Sequence, residues 1–211
     1  MKRIWCIALL LVAAFASLRA QTFEVSPVYG WARMGKSPLG SSSAESQKDD
    51  DTTLRNGYSY GLRFTINTRG YYGHELSYVQ SRVGLRVRLQ PTADAVKETF
   101  ESKIRVHQVS YNFLIYFMPK NERWRPYMTG GVESHRYGQP NVENWTGGSF
   151  RNYGVNYGAG IKVRLFKNAL VRLELRDCIT GKPYDLPFED QAIGAGFIRQ
   201  QQAAVGVAVT F

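Results

Sequence analysis

The sequence predicts an all-β fold, an eight-stranded antiparallel up-and-down transmembrane β-barrel. Three observations predict it. Eight separate runs alternate side-chain character with period two, and a helical period is almost absent. The connections between those runs are alternately long and short along the chain. Beyond residue 20 no run of 18 apolar residues occurs, so any membrane crossing must use strands.

The chain opens "MKRIWCIALLLVAAFASLRAQ". Lys2 and Arg3 precede an apolar stretch from Ile4 to Ala16, too short for the roughly 20 residues of a spanning helix. Small residues follow, with Ala20 before Gln21 as the cleavage point. Residues 1–20 therefore read as an export signal peptide, and residues 21–211 as one outer-membrane barrel domain. Residues 1–20 carry Lys2, Arg3 and Arg19 and no acid, so their removal lowers the net charge from +10 to +7. Cys178 is then the sole cysteine, which excludes an internal disulfide and a cysteine cluster for metal. The remaining basic excess favours anionic head groups. Nucleic acid is not an expected partner, because no binding motif is present and export argues against it.

The strands are expected near 22–34, 57–67, 72–88, 104–117, 125–137, 152–166, 169–179 and 199–211. The sixth is the clearest. Tyr153, Val155, Tyr157, Ala159, Ile161, Val163 and Leu165 share one parity, while Gly154, Asn156, Gly158, Gly160, Lys162 and Arg164 share the other. The seventh sets Val171, Leu173 and Leu175 against Arg172, Glu174 and Arg176. The eighth sets Ala203, Val205, Val207, Val209 and Phe211 against small residues. In the third, the oily parity flips between Tyr78 and Val83, as a bulge or an extension beyond the membrane would produce. The fifth, "RPYMTGGVESHRYG", alternates too weakly to assign its faces.

The connections 35–56, 89–103, 138–151 and 180–198 are long, whereas 68–71, 118–124 and 167–168 are short. That rhythm suits short periplasmic turns at one rim and long external loops at the other. Closure follows from the solvent. In hydrocarbon every backbone N–H and C=O needs a partner, so an open sheet edge is disallowed.

Three segments resemble small OmpA-type and OmpX-type outer-membrane barrels. "QQAAVGVAVTF" is similar to their C-terminal strand, "NYGVNYGAGIKVRLFKNALVRLELRD" to their penultimate hairpin, and "RPYMTGGV" to a strand common in the group. The resemblance implies an integral protein of the bacterial outer membrane, monomeric, and recognised during insertion by the barrel-assembly machinery. Val207, Val209 and Phe211 carry that assembly signal. No periplasmic peptidoglycan-binding domain is expected after the last strand.

A membrane barrel turns its oily parity outward, so Tyr157, Ile161, Val163, Leu165, Val171, Leu173 and Leu175 are expected to face lipid. Glu24, Arg63, Glu75, Lys162, Arg164, Arg172, Glu174 and Arg176 are expected inside. An eight-stranded barrel is just filled by side chains, so these charges read as a plug of ion pairs. Tyr29, Trp31, Tyr71, Tyr72, Tyr111, Phe117, Trp124, Tyr127, Tyr153 and Phe211 read as interfacial girdles.

Chemistry is sparse. Ser134 and His135 are adjacent and face opposite sides, and His107 and Ser110 also oppose, so no nucleophile–base pair is evident. His74, His107 and His135 share no metal-ligand spacing, and Asp49–Asp51 lack the alternation and Gly of a calcium loop. No catalytic residue, metal or cofactor is expected. The expected role is non-enzymatic, in envelope integrity, adhesion or surface interaction, with outer-membrane lipids and an extracellular ligand of the loops as partners. The alternatives are a narrow low-conductance pore, a barrel enzyme acting on outer-membrane lipids, and a soluble lipocalin-like barrel. Lipocalins read Gly-x-Trp where Gly30 and Trp31 are neighbours here.

Overall fold

In a computed structural model of the protein, eight strands close into one barrel in which every neighbour is antiparallel and the order is sequential. The structure describes residues 22–35, 39–40, 52–68, 70–89, 94, 96, 98–120, 122–142, 145, 151–184, 186 and 196–211. The expected signal peptide, residues 1–20, and Asp49–Asp51 lie outside the described residues.

The strands are β1 (Thr22–Met34), β2 (Thr52–Thr68), β3 (Tyr72–Leu89), β4 (Glu98–Tyr116), β5 (Trp124–Tyr137), β6 (Arg151–Phe166), β7 (Ala169–Gly181) and β8 (Phe197–Thr210). Closure is made by β1 against β8, with Val25 opposite Val209 and Tyr29 opposite Val205. The chain's two described ends meet at the rim of the short turns, where Phe211 N donates to the Phe23 carbonyl at 2.9 Å. In the turn between β2 and β3, Gly70 takes φ 90°, a left-handed conformation that favours glycine.

β2 and β4 begin five and six residues before their expected starts, which shortens the two loops ahead of them. These added residues carry polar side chains on their outward parity, so they lack the oily period of a lipid-facing strand. The β3–β4 hairpin consequently has strands of 18 and 19 residues, well beyond the roughly 9–11 needed to cross. At about 3.3 Å per residue and a usual tilt, the excess raises a cuff roughly 20 Å above the hydrocarbon.

The cuff accounts for the parity flip in β3. Its register against β4 runs unbroken from Tyr72↔Ile115 to Leu89↔Glu98, and the nearby bulge is on β2, between Arg55 and Gly57. Leu76 and Tyr78 point outward, whereas Val79, Val83, Leu85 and Val87 are buried inside. The strand keeps its pleat while the surrounding solvent changes. Below, oily side chains face out; above, they face in.

The upper interior is consequently an ordinary apolar core. Met34, Leu54, Val83, Leu85, Val87, Ile104, Val106, Tyr137 and Ile198 pack there with Leu39, Tyr184 and Leu186 from the long connections. Trp145 meets Tyr184 edge-on at 5.0 Å, and Tyr184 donates to the Gly138 carbonyl at 2.7 Å. Burial pushes the Tyr184 phenol above its ordinary pKa, and neighbouring Tyr137 adds to the effect. These loop residues close the barrel from above.

Candidate functional site: lumen and external cuff

Beneath the apolar cap the lumen is polar and charged. Its centre holds three guanidinium groups and two carboxylates from β2, β3 and β7. Arg172 reaches Glu75 Oε2 through Nη1 and Glu174 Oε2 through Nη2, both at 2.6 Å. Arg176 Nη2 lies 3.0 Å from Glu75 and 2.9 Å from Glu174. Arg63 pairs with Glu174 and stands 3.7 Å from Glu75. Tyr127 donates to Glu174 at 2.6 Å while accepting from Arg172 at 2.9 Å. Thr65 donates to Glu75 at 3.1 Å. Each charge thus has several opposite neighbours, which buried ions require.

Lower down, Lys162 pairs with Glu24 and donates to the Tyr116 hydroxyl at 2.7 Å, and Asn67 donates to Glu24 at 2.6 Å. Arg125 lies 3.8 Å over the Tyr116 ring and caps the Gly70 carbonyl at 2.7 Å. Gly160 makes the room Tyr127 needs, since a Cβ there would stand 2.5 Å from the phenol oxygen.

Seven of the eight charges expected inside therefore fall into two groups: Arg63, Glu75, Arg172, Glu174 and Arg176, and below them Glu24 with Lys162. Arg164 shares their inward parity but belongs to neither group, standing at the mouth of the lumen. It is half-buried at the turn rim and donates to the Lys120 carbonyl. It is the last residue of β6 before the β6–β7 register shifts, where the barrel ends. Tyr127 departs from the expectation. It was expected in a girdle and instead points inward, nearly fully buried. Sequence reasoning missed Tyr116, Arg125, Glu133 and His135 as lumen residues. The available signal was the parity of β5, blurred by Gly130-Gly131 and by large aromatics on both faces.

The outward face has three levels. Tyr157, Leu165, Leu173 and Leu175 are exposed, and Ile161, Val163 and Val171 partly so. Val207, Val209 and Phe211 also point outward. Aromatic rings border this apolar zone: Tyr71, Tyr72, Phe117, Trp124 and Phe211 toward the turn rim, and Tyr29, Trp31, Tyr58, Tyr78 and Tyr153 toward the cuff. Two histidines on this face have satisfied polar tips: Tyr78 Oη meets His107 Nδ1, and His74 Nδ1 meets Tyr111 Oη, both at 2.7 Å.

Directly above the upper rings the outward positions become basic. Arg33, Arg55, Arg86, Arg88 and Arg199 line one cleft of about 690 Å³. Lys103, Arg105, Arg136 and Arg151 line a second of about 830 Å³. Among the described residues, two acids meet these arginines: Glu101 bridges Arg55 at 2.7 Å and Arg86 at 3.1 Å, and Asp177 pairs with Arg199.

A closed antiparallel barrel, oily outside and ionic inside, with aromatic rings bordering the oily zone, defines the class of strand-built membrane proteins. The chain belongs to the family of outer membrane protein beta-barrel domains, which it matches over residues 7–211. Among solved structures, OprG of Pseudomonas aeruginosa is 16% identical with TM-score 0.61, covering 91% of this chain and 96% of that one. Neisserial surface protein A is 14% identical with TM-score 0.58, covering 90% and 97%. Ail, the attachment invasion locus protein of Yersinia pestis, solved with the heparin analogue sucrose octasulfate, is 14% identical with TM-score 0.52, covering 90% and 99%. No curated protein matches the chain.

Proposed function

We propose that this protein is a non-enzymatic, plugged barrel of the bacterial outer membrane, whose basic cuff binds closely spaced anionic groups at the membrane surface. The carrying observation is the position of the two basic clefts. They sit immediately above the aromatic rings, at the level where lipid phosphates lie when the outward oily faces, Leu173 and Leu175 among them, meet acyl chains. Arginine suits this ligand because its planar fork pairs two phosphate oxygens at once. Among the described residues, Glu101 and Asp177 offset only part of the charge in the first cleft. The polyanion held by Ail has the same chemistry, closely spaced anionic oxygens.

The plugged lumen rests on the central ion cluster and the apolar cap above it. A pore would have to break both. The non-enzymatic reading is supported by Ser134 and His135, which lie on opposite faces of β5 and form no nucleophile–base pair. Insertion through the assembly machinery, with Val207, Val209 and Phe211 as the signal, belongs to the same reading.

The test is binding of lipid A bisphosphate to the barrel in neutral detergent, against dephosphorylated lipid A and against soluble heparin. Binding should require the phosphates and weaken steeply with salt. The double variant R86E/R88E should weaken it at least about tenfold, the loss of two charge-assisted contacts. Equal affinity for the dephosphorylated lipid would overturn the headgroup reading. Binding of heparin alone would move the ligand from the membrane to an external polysaccharide. Planar-bilayer recording should show no stable conductance.

A further inference from the structure

Three ligating side chains that are scattered in sequence meet in the upper lumen. Glu133 and His135 project inward from β5 and Cys178 from β7, with one donor atom from each within 4.8 Å of the others. All three are buried, His135 and Cys178 completely. Glu133 Oε1 and His135 Nε2 lie 3.0 Å apart, yet neither has a hydrogen-bond partner. Two strong buried polar groups thus face one another without the alignment of a hydrogen bond, an arrangement that costs free energy unless something else occupies them.

The surroundings orient these atoms. Gln108 donates to the other carboxylate oxygen, Glu133 Oε2, at 2.8 Å and to Cys178 Sγ at 3.4 Å. Gln108 is itself held by Gln202 at 2.6 Å. The Tyr137 hydroxyl lies 3.4 Å from His135 Nδ1, which leaves Nε2 as the ring atom aimed at the cluster. Asn156 is the register partner of Cys178, and both atoms of its amide are buried without a partner.

We propose that Glu133, His135 and Cys178 form a binding site for one borderline-soft divalent cation of the zinc class. Carboxylate, imidazole and thiolate together are a zinc donor set, and three protein donors leave a fourth position for water or the Asn156 amide oxygen. Metal–ligand lengths of about 2.0–2.3 Å place tetrahedral donors roughly 3.3–3.6 Å apart, so the present spacings need shifts of about an ångström or less. The charges also balance. A dication with one carboxylate and one thiolate is neutral, and the thiol proton leaves to solvent as the metal binds. Gln108 and Tyr137 then serve as the outer partners that fix ligand orientation. The ion ties β5 to β7 across the lumen. Because the site is covered by the apolar cap above and the ion cluster below, loading occurs during folding.

The test refolds the chain lacking residues 1–20 into detergent with Co²⁺ under reducing conditions, then removes free metal with a chelator. Folding is scored by heat-modifiable gel mobility. About one Co²⁺ per folded chain is expected, with a thiolate-to-cobalt absorption band that can come only from Cys178, the sole cysteine after residue 20. C178S should remove the band, and H135Q should remove the retained metal. If H135Q does not fold, E133Q replaces it with the same expectation. Folded wild-type protein without retained metal, or with retained cobalt and no thiolate band, would overturn the site. So would full retention in a folded H135Q or E133Q barrel.

Discussion

Truncation of Glu174 to alanine tests whether the central cluster holds the barrel together. Glu174 lies 2.6 Å from Arg172 and 2.9 Å from Arg176, pairs with Arg63, and accepts from Tyr127. Its removal leaves three guanidinium groups facing the single carboxylate of Glu75, in a layer where each is about 1% exposed or less. Charge-assisted hydrogen bonds are individually worth about 1.5–3 kcal/mol. Their sum is an upper bound, because water and rearrangement recover part. Breaking a buried pair by losing one partner typically costs about 3–5 kcal/mol. With a urea slope of about 3 kcal/mol per molar, the unfolding midpoint should fall by about 1–1.7 M. The assay is reversible urea unfolding in detergent or lipid, with the folded fraction read from gel mobility. Glu122→Gln, on the exposed β4–β5 turn, is the control. A shift for Glu174→Ala no larger than the control's would refute the reasoning, since the arginines would then be compensated without this carboxylate.

Further outcomes follow from other layers. Gly160→Ala should displace Tyr127 from Glu174 and cost about 1–3 kcal/mol through overpacking, visible as an earlier urea midpoint. Leu173→Arg puts a charge on the outward oily face and should cost about 2–4 kcal/mol in lipid, with a smaller effect if the site lies near the interface. Deletion of Phe211 should reduce the folded barrel recovered from membranes while leaving refolding into detergent nearly intact. Tyr184 has a raised pKa, so its neutral form supports docking of the loop at all pH values below the phenol's ordinary range. That support fades as the pH rises through the higher folded value. Hydrogen exchange at the Tyr184 and Gly138 backbone should therefore be faster in strong alkali than pH alone accounts for, and Tyr184→Phe should blunt that change.

The fold was legible because two signals reinforce each other. In β6 and β7 a lipid-facing side chain alternates with a charged or tiny one, and the turn between them is only two residues. No other solvent arrangement makes both patterns necessary. The lumen charges on β2, β3, β6 and β7 were readable from the same parity. Arg164 has that parity too, but at the rim it bonds the Lys120 carbonyl of the neighbouring turn, a contact that parity does not reveal. β5 was illegible for a chemical reason: Tyr127 and Glu133 inside alternate with Trp124 and Met128 outside, across two glycines that carry no face information. The meeting of Glu133, His135 and Cys178 was hidden because it depends on which strands are neighbours around the cylinder. His135 and Cys178 are 43 positions apart, yet only β6 separates their strands.

The change of interior along the barrel axis explains how a lumen of ions remains dry. The central pairs are strong only where water is excluded, because Coulomb attraction weakens as the local dielectric rises. Lipid shields them from the side. From above, lipid cannot help, since the cuff stands in water. There the chain reverses its pattern, with Val83, Leu85 and Val87 turned inward and Arg82, Arg86 and Arg88 outward, and it folds Leu39, Tyr184 and Leu186 over the top. The same reversal brings the arginines to the outer surface of the cuff. The apolar cap above the ion pairs and the basic outer surface of the cuff are therefore two faces of the same strand extensions. A cuff shortened below Val83 would lose both at once.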